Sequence, residues 1–188
     1  MARDAEATRK RLLTAALDEF AAYGIAGARV DRIAAAAQSN KAQIYHYFGS
    51  KDGLFDAVFN EICVRSVSEN PIDTADLPGY AARIFDGYEA RPEVPRLVTW
   101  YRLERPGSRD PLEIVVASLR AKTDAIARAQ AAGELPSRFT APELLGLIMH
   151  MASLWITATP EYDPLVADVS RARRRQVVVD AVTALLAA

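Results

Sequence analysis

Between Val30 and Tyr47 the sequence VDRIAAAAQSNKAQIYHY holds two short apolar repeats of helical spacing separated by only three residues, which few folds accommodate. Val30, Ile33, Ala34 and Ala37 share one side of a helix over about residues 30–37, and its small alanines permit close helix packing. Gln38-Ser39-Asn40 breaks the pattern, and Asn40 is a good N-cap for a second short helix from Lys41 to about Tyr47. Two short helices joined by a tight turn form a helix-turn-helix.

The flanking sequence extends this unit. A helix is expected from about Thr8 to Tyr23, with Leu13, Ala16, Leu17 and Phe20 at helical spacing and Gly24 as its stop. Arg9, Lys10 and Arg11 precede its apolar stripe, either as a solvated helix start or as part of a basic face. Ser50 caps a longer helix, roughly Lys51 to Val67, striped by Leu54, Phe55, Val58, Phe59 and Ile62. Composition shifts to Pro, Asp and Gly between Asn70 and Pro78, the best candidate for a boundary between head and body.

The body reads as helices near Leu77–Ala90, Pro92–Glu104, Pro111–Ala132, Ala141–Thr159 and Pro164–Leu186. Asp110-Pro111 and Asp163-Pro164 each combine an N-cap with a first-turn proline, and Thr140-Ala-Pro-Glu143 is a capping box. Arg105-Pro-Gly-Ser108 and Gly133-Glu-Leu-Pro136 supply connecting turns. Alanine, leucine, arginine and glutamate dominate and few segments alternate like strands, so the fold class is all-α, with about nine helices. The division expected is a helix-turn-helix domain over residues 1–51 and a helical body over 52–188.

The net charge of −1 is unevenly spread: residues 1–51 carry eight Lys/Arg against five Asp/Glu, a net +3, leaving −4 for the rest. That asymmetry suggests that the first quarter meets a polyanion. The N-terminal MARDAEATRKR lacks the apolar core of a signal peptide, so a cytoplasmic location is expected. The charge-free stretch Leu144–Pro160 falls short of the roughly 20 residues a membrane span needs and reads as a buried helix. Cys63 is the single cysteine, which excludes an intramolecular disulfide and a multi-cysteine metal site. With two histidines, no Gly-rich phosphate loop, no Gly-x-Ser-x-Gly and no Glu-x-x-His pair, the chain offers little from which to build an enzyme, and neither a metal nor a cofactor is expected.

The stretch Val30–Leu54 resembles the signature of the TetR/AcrR family in three parts: Ile33-Ala34-x-x-Ala37, the cluster Ile44-Tyr45-His46-Tyr47-Phe48, and Gly49-Ser50-Lys51 opening the next helix. The resemblance covers about the first 60 residues; beyond them it rests on length and helix count. It implies a ligand-responsive transcriptional regulator, most commonly a repressor, that binds a palindromic duplex operator as a homodimer and is released by a small molecule. The other functional class is a helical small-molecule-binding or scaffold protein without sequence-specific DNA binding.

A recognition helix this short presents only its first turn and exposed face to a major groove, which selects Lys41, Ala42 and Gln43. By the resemblance these residues meet base edges. Lys41 would donate to guanine or else hold a phosphate, and Ala42 would touch a thymine methyl. Gln43 either pairs with adenine or, as the last residue of Asn40-x-x-Gln43, turns back on its own helix. Tyr45 and Tyr47 match family positions that hydrogen-bond backbone phosphates; the alternative is that their rings fill space between helices. His46 faces solvent or packs between helices. Lys51, in a helix's first turn, is expected to hold a phosphate or else remain solvated.

Three positions depart from the family pattern: Arg29 replaces the usual threonine cap, Gln38 the turn glycine, and Ser39 a small apolar residue. Arg29 can still reach a phosphate, whereas Asp31 needs to face away from one.

For the body, the resemblance implies a dimer interface on the last two long helices, here through Leu147, Met151, Leu154, Val178, Val182 and Leu185. Arg171, Arg173, Arg174 and Arg175 would lie at its rim, as an unpaired basic run or in specific ion pairs. The resemblance also implies a cavity for a small-molecule effector. Phe59, Phe85, Tyr88, Trp100, Tyr101, Met149, His150 and Trp155 are its candidate lining residues, each with ordinary core as the alternative. Cys63 would sense redox state only with a lowered pKa.

Overall fold

The structure, a computed structural model, describes residues 2–105 and 112–187. Among them are nine α-helices and one 3-10 segment. Two compact units divide at Arg65/Ser66, and Pro92–Leu112 returns to the first.

The first unit holds α1 (Ala2–Gly27), α2 (Val30–Ala36), α3 (Lys41–Phe48), α4 (Lys51–Glu69) through Arg65, and α6 (Glu93–Glu104). Its core is Leu12, Ala16 and Phe20 of α1, Ile33 and Ala34 of α2, Ile44 of α3, and Leu54, Phe55 and Val58 of α4. Phe20 meets Phe55 edge to face with centroids 5.2 Å apart. Short helices cannot be stable alone in water, so α2 and α3 depend on this burial.

Gly24 does not end α1 as expected. It kinks the helix at φ 72°, and one further turn follows to Gly27. The kink makes room for α6: a Cβ at Gly24 would collide with the Glu104 carboxylate and lie 2.9 Å from the Trp100 ring. Glu104 Oε2 accepts the Ala26 N–H at 2.7 Å, and the Trp100 indole donates to the Ala21 carbonyl at 3.3 Å. Leu97, fully buried in the same core, completes the attachment. This packing is why the units follow neither the expected 51/52 division nor the 70–78 stretch: α6 is distant in sequence but joins the head's core.

The second unit holds α5 (Leu77–Ala90), α7 (Glu113–Ala131), α8 (Ala141–Thr157) and α9 (Arg171–Leu186). Leu77, Ala81 and Phe85 meet Ile126, Leu144, Ile148, Ala152, Val178 and Val182 in its core. Asp76 caps α5 by accepting the Gly79 N–H at 2.8 Å, and Glu143 closes the Thr140 capping box with the Thr140 N–H at 2.8 Å.

The expected last helix from Pro164 is corrected. Residues Pro160–Val166 form a 3-10 segment with Pro164 inside it, and α9 starts only where Ser170 Oγ accepts the Arg173 N–H at 3.2 Å. The expected Asp110-Pro111 helix start and most of the Arg105–Ser108 turn lie outside the described residues. No single helix among the described residues is long and apolar enough to cross a membrane.

Candidate nucleic-acid interface

The turn between α2 and α3 is held mainly by backbone. Gln38 N–H donates to Ala35 O at 3.1 Å and Ser39 N–H to Ala34 O at 2.9 Å. Gln38 adopts φ 50°, the left-handed region where glycine is cheapest, so the expected turn survives without the glycine. Asn40 caps α3, its Oδ1 accepting the Gln43 N–H at 3.0 Å. Ser39 Oγ is buried with no hydrogen-bond partner among the described residues.

Along α3, Ile44 is buried in the core while Lys41, Ala42, Tyr45 and His46 are exposed. Half of the Tyr45 surface is accessible. Tyr47 is half-buried and packs against the core, with its ring 6.1 Å from Phe48 and 5.3 Å from His46. Gln43 is half-buried, and its Oε1 is turned inside without a hydrogen-bond partner among the described residues. Its acceptor is therefore not presented to a groove in this conformation.

The charged groups are more engaged than the sequence reading expected. Lys41 Nζ lies 2.5 Å from Asp31 Oδ1, so the acid that needed to face away from DNA instead holds the leading lysine of α3. Lys51 Nζ donates to the carbonyls of Ala26 and Ala28, each at 3.2 Å, tying the start of α4 to the α1–α2 connection. A structural role thus occupies two of its three N–H donors. Arg29 leaves its side chain exposed and provides no cap bond, but its backbone N–H donates to Glu19 Oε1 at 2.8 Å.

Among the described residues Glu19 is the buried charge of this unit, and it was missed from sequence. It receives Arg32 Nε at 2.8 Å as well as the Arg29 N–H. Burial pushes its pKa up, but the Arg32 and Arg29 hydrogen bonds, with the charge of both arginines, outweigh that and hold it below the ordinary carboxylate value. Arg32 also lies over the Tyr23 ring at 4.2 Å and donates to Gly27 O at 3.1 Å. Arg11, read as part of a basic helix start, donates to the Ala37 carbonyl at 3.3 Å and so closes the end of α2. Its signal was faint, whereas Glu19 could have been found: Leu12, Ala16 and Glu19 follow helical spacing down one buried stripe.

The candidate cavity residues divide between the units. Phe59 and Tyr101 stack at 4.2 Å in the first unit, where Trp100 uses its indole N–H on α1. In the second unit Phe85 is a fully buried member of the core, the alternative kept for each of these residues. Trp155 donates to the Arg174 carbonyl at 3.2 Å, and Met149 packs half-buried against the core. His150 is exposed, with Nδ1 2.8 Å from Gly146 O, and so forms no part of an interior wall. Tyr88 is half-buried, and burial pushes its phenol pKa up. Burial likewise pushes the Cys63 thiol up to about 11, the opposite of what redox sensing requires.

The profile of the bacterial regulatory proteins of the tetR family matches residues 12–58, and that of the tetracyclin repressor-like C-terminal domain matches residues 76–183. The chain belongs to the TetR family. It is 39% identical to the HTH-type transcriptional repressor SCO4008 of Streptomyces coelicolor over 161 residues, 85% of this chain and 83% of that one. It is 36% identical over 99 residues to the HTH-type transcriptional repressor NicS of Pseudomonas putida, 49% of this chain and 47% of the other. The crystal structure of SCO4942, described as a transcriptional regulator from Streptomyces coelicolor, superposes with a TM-score of 0.87 at 40% identity, covering 95% of this chain and 97% of that one. Ligand-responsive, DNA-binding regulation of transcription is the typical role of TetR proteins, and α2–α3 is this chain's helix-turn-helix.

TetR regulators act as dimers, and the expected interface residues of this one fall into two groups. Val178 and Val182 are 1% and 0% exposed in the single chain, so they belong to its own core and offer no surface to a partner. Leu147 and Leu154 are 36% and 45% exposed, while Met151 and Leu185 are half-buried against the same core. The basic run of α9 is not unpaired. Arg171 and Arg175 hold Asp86 at 2.6 and 2.8 Å, Arg173 pairs with Asp180 at 3.3 Å, and Arg174 donates to the carbonyls of Val166 and Val169.

Proposed function

We propose that this TetR protein is a repressor that binds a palindromic duplex operator as a homodimer in the cytoplasm and is released by a small molecule, without enzymatic activity. One observation carries the DNA-reading part: an Asn40-capped α3 whose first turn and outer face leave Lys41, Ala42 and Tyr45 exposed over a buried Ile44. In this reading Lys41 and Ala42 meet base edges, and the Tyr45 hydroxyl and the exposed Arg29 hold phosphates. Gln43 and Tyr47 contribute after a side-chain rearrangement, and Lys51 contributes through its third N–H while it fixes the α1–α2 connection. Two such heads about one DNA turn apart would match the half-sites of a palindrome. The continuous α4, which runs from just after α3 at Lys51 to Glu69, supports transmission of ligand occupancy from the body. The effector must bind the non-DNA state more tightly to shift the population.

The test is selection of random duplex DNA by the purified protein, followed by sequencing of the bound pool. A palindromic consensus with steep salt dependence supports the reading. No enrichment at low salt would leave a ligand-binding protein whose head does not read DNA.

A further inference from the structure

A lysine occupies a core-facing position in the second unit. On α7 the residues Leu119, Lys122 and Ile126 follow helical spacing; Ile126 is fully buried, Leu119 packs against the core, and Lys122 between them is half-buried. Lysine is almost never taken from water without a counter-charge. Among the described residues no carboxylate lies within ion-pair distance of Lys122. Its ammonium instead sits over the Tyr80 ring, 5.4 Å from the centroid. Arg83 approaches the same ring at 6.0 Å, but it has Asp76 at 3.9 Å.

α5, which carries Tyr80, has matching chemistry. Tyr80, Ile84 and Tyr88 recur four residues apart and so share one face of α5. Burial lowers the Lys122 pKa and raises those of both tyrosines, as expected for side chains that are partly desolvated with no anion beside them. α5 and α7 both pack on α8 and hardly touch each other through their backbones.

We propose that the effector is a small organic acid bound between α5 and α7, its carboxylate on Lys122 with the Tyr80 and Tyr88 hydroxyls and its apolar body along Ile84 and Leu119. This rests on the reading that the second unit takes a small-molecule effector, and it names that molecule's class. The anion would supply the counter-charge Lys122 lacks, and a phenol and an ammonium both donate to carboxylate oxygen.

Naphthalene-1-acetate, naphthalene-1-acetamide and 2-(naphthalen-1-yl)ethylammonium share an apolar body and differ in charge. Calorimetric titration of the full-length protein with each is expected to show the acetate binding at least about tenfold more tightly than the other two. Lys122→Met should remove that preference, Lys122→Arg should retain it, and Tyr88→Phe should weaken the acetate severalfold; circular dichroism verifies that each variant is folded. The arginine variant and Tyr88→Phe keep the test decisive should the methionine variant not fold. Equal binding of the three probes, preference for the ammonium, no binding of the acetate, or an unchanged preference in folded Lys122→Met overturns the proposal. Operator release is read in parallel. An amide or ammonium that binds and releases DNA removes the anion but leaves a ligand-responsive repressor. An acetate held by Lys122 that never releases DNA supports the site and removes the effector role.

Discussion

Glu19 of α1 and Arg32 of α2 form a fork in which Arg32 reaches the Glu19 carboxylate through both Nε and Nη2, at 2.8 and 2.5 Å. The same carboxylate takes the Arg29 N–H, one of the donors that the start of α2 leaves without an intrahelical partner. Arg29 cannot cap α2 as a threonine would, and Glu19 instead satisfies a different donor at that helix start, the N–H of Arg29 itself, from another helix.

Glu19→Ala is therefore expected to destabilise the protein by about 1–3 kcal/mol, because it strands a backbone donor and removes the partner of Arg32. The pH dependence has a definite sign. A carboxylate whose folded pKa lies below its unfolded value contributes stability above the unfolded value and loses it as pH falls through the folded one. Urea titrations of wild type and Glu19→Gln should differ most at neutral pH and converge in acid, below the depressed pKa. A gap that persists unchanged into acid would mean the carboxylate's charge is not what stabilises the turn.

Asp31 neutralises Lys41 on the helix expected to read DNA. Asp31→Asn should raise affinity for every duplex severalfold and steepen the slope of log affinity against log salt by up to about one. It should also relax base preference, because an untethered lysine is no longer aimed. Fluorescence anisotropy over a salt series on operator and scrambled duplexes measures both effects. An unchanged salt slope would show that the Lys41 charge is not used on DNA.

Gln38 carries the turn in a conformation that costs an L-residue about 1–2 kcal/mol, against roughly 0.5–1 kcal/mol of extra chain entropy for glycine. Gln38→Gly is expected to stabilise the protein by up to about 1 kcal/mol, and the β-branched Gln38→Val to destabilise it by a similar amount or more. Chemical denaturation of the two variants should move in opposite directions. Equal shifts would mean that side-chain contacts of Gln38, rather than its φ, set its value.

How much of this was legible in the sequence depends on the kind of interaction. Apolar spacing and caps are local, so Asn40, Ser50, Asp76 and the Thr140–Glu143 box could be expected or rationalised from neighbours in the chain. The attachment of α6 could not, because it depends on the approach of Glu104 and Trp100 to a kink at Gly24, nearly 80 residues away. Charged side chains were the hardest to read. Lys51, Arg11 and Lys41 were all read as free cations, yet the structure gives each a partner on another helix or connection. A long flexible cation finds whichever carbonyl or carboxylate the fold brings near it, and spacing along one helix carries no record of that.

The exposed stripe of α8 provides the sharpest separation of assembly from folding. Leu147 and Leu154 stand seven residues apart with Met151 between them, on one helical face that the single chain leaves open, whereas Val182 is wholly inside. Large exposed apolar side chains on one face mark an association surface, and a charge placed there costs little in the separated chain. Leu154→Lys is thus expected to yield a folded monomer by light scattering, with the circular dichroism of the parent and much weaker operator binding. Val182→Ala should cost about 2 kcal/mol through the cavity it leaves, lowering the melting temperature while the surviving folded protein still associates. If Leu154→Lys remains fully dimeric at micromolar concentration, α8 is not the interface and another exposed face, such as that of Tyr162 and Leu165, has to supply it.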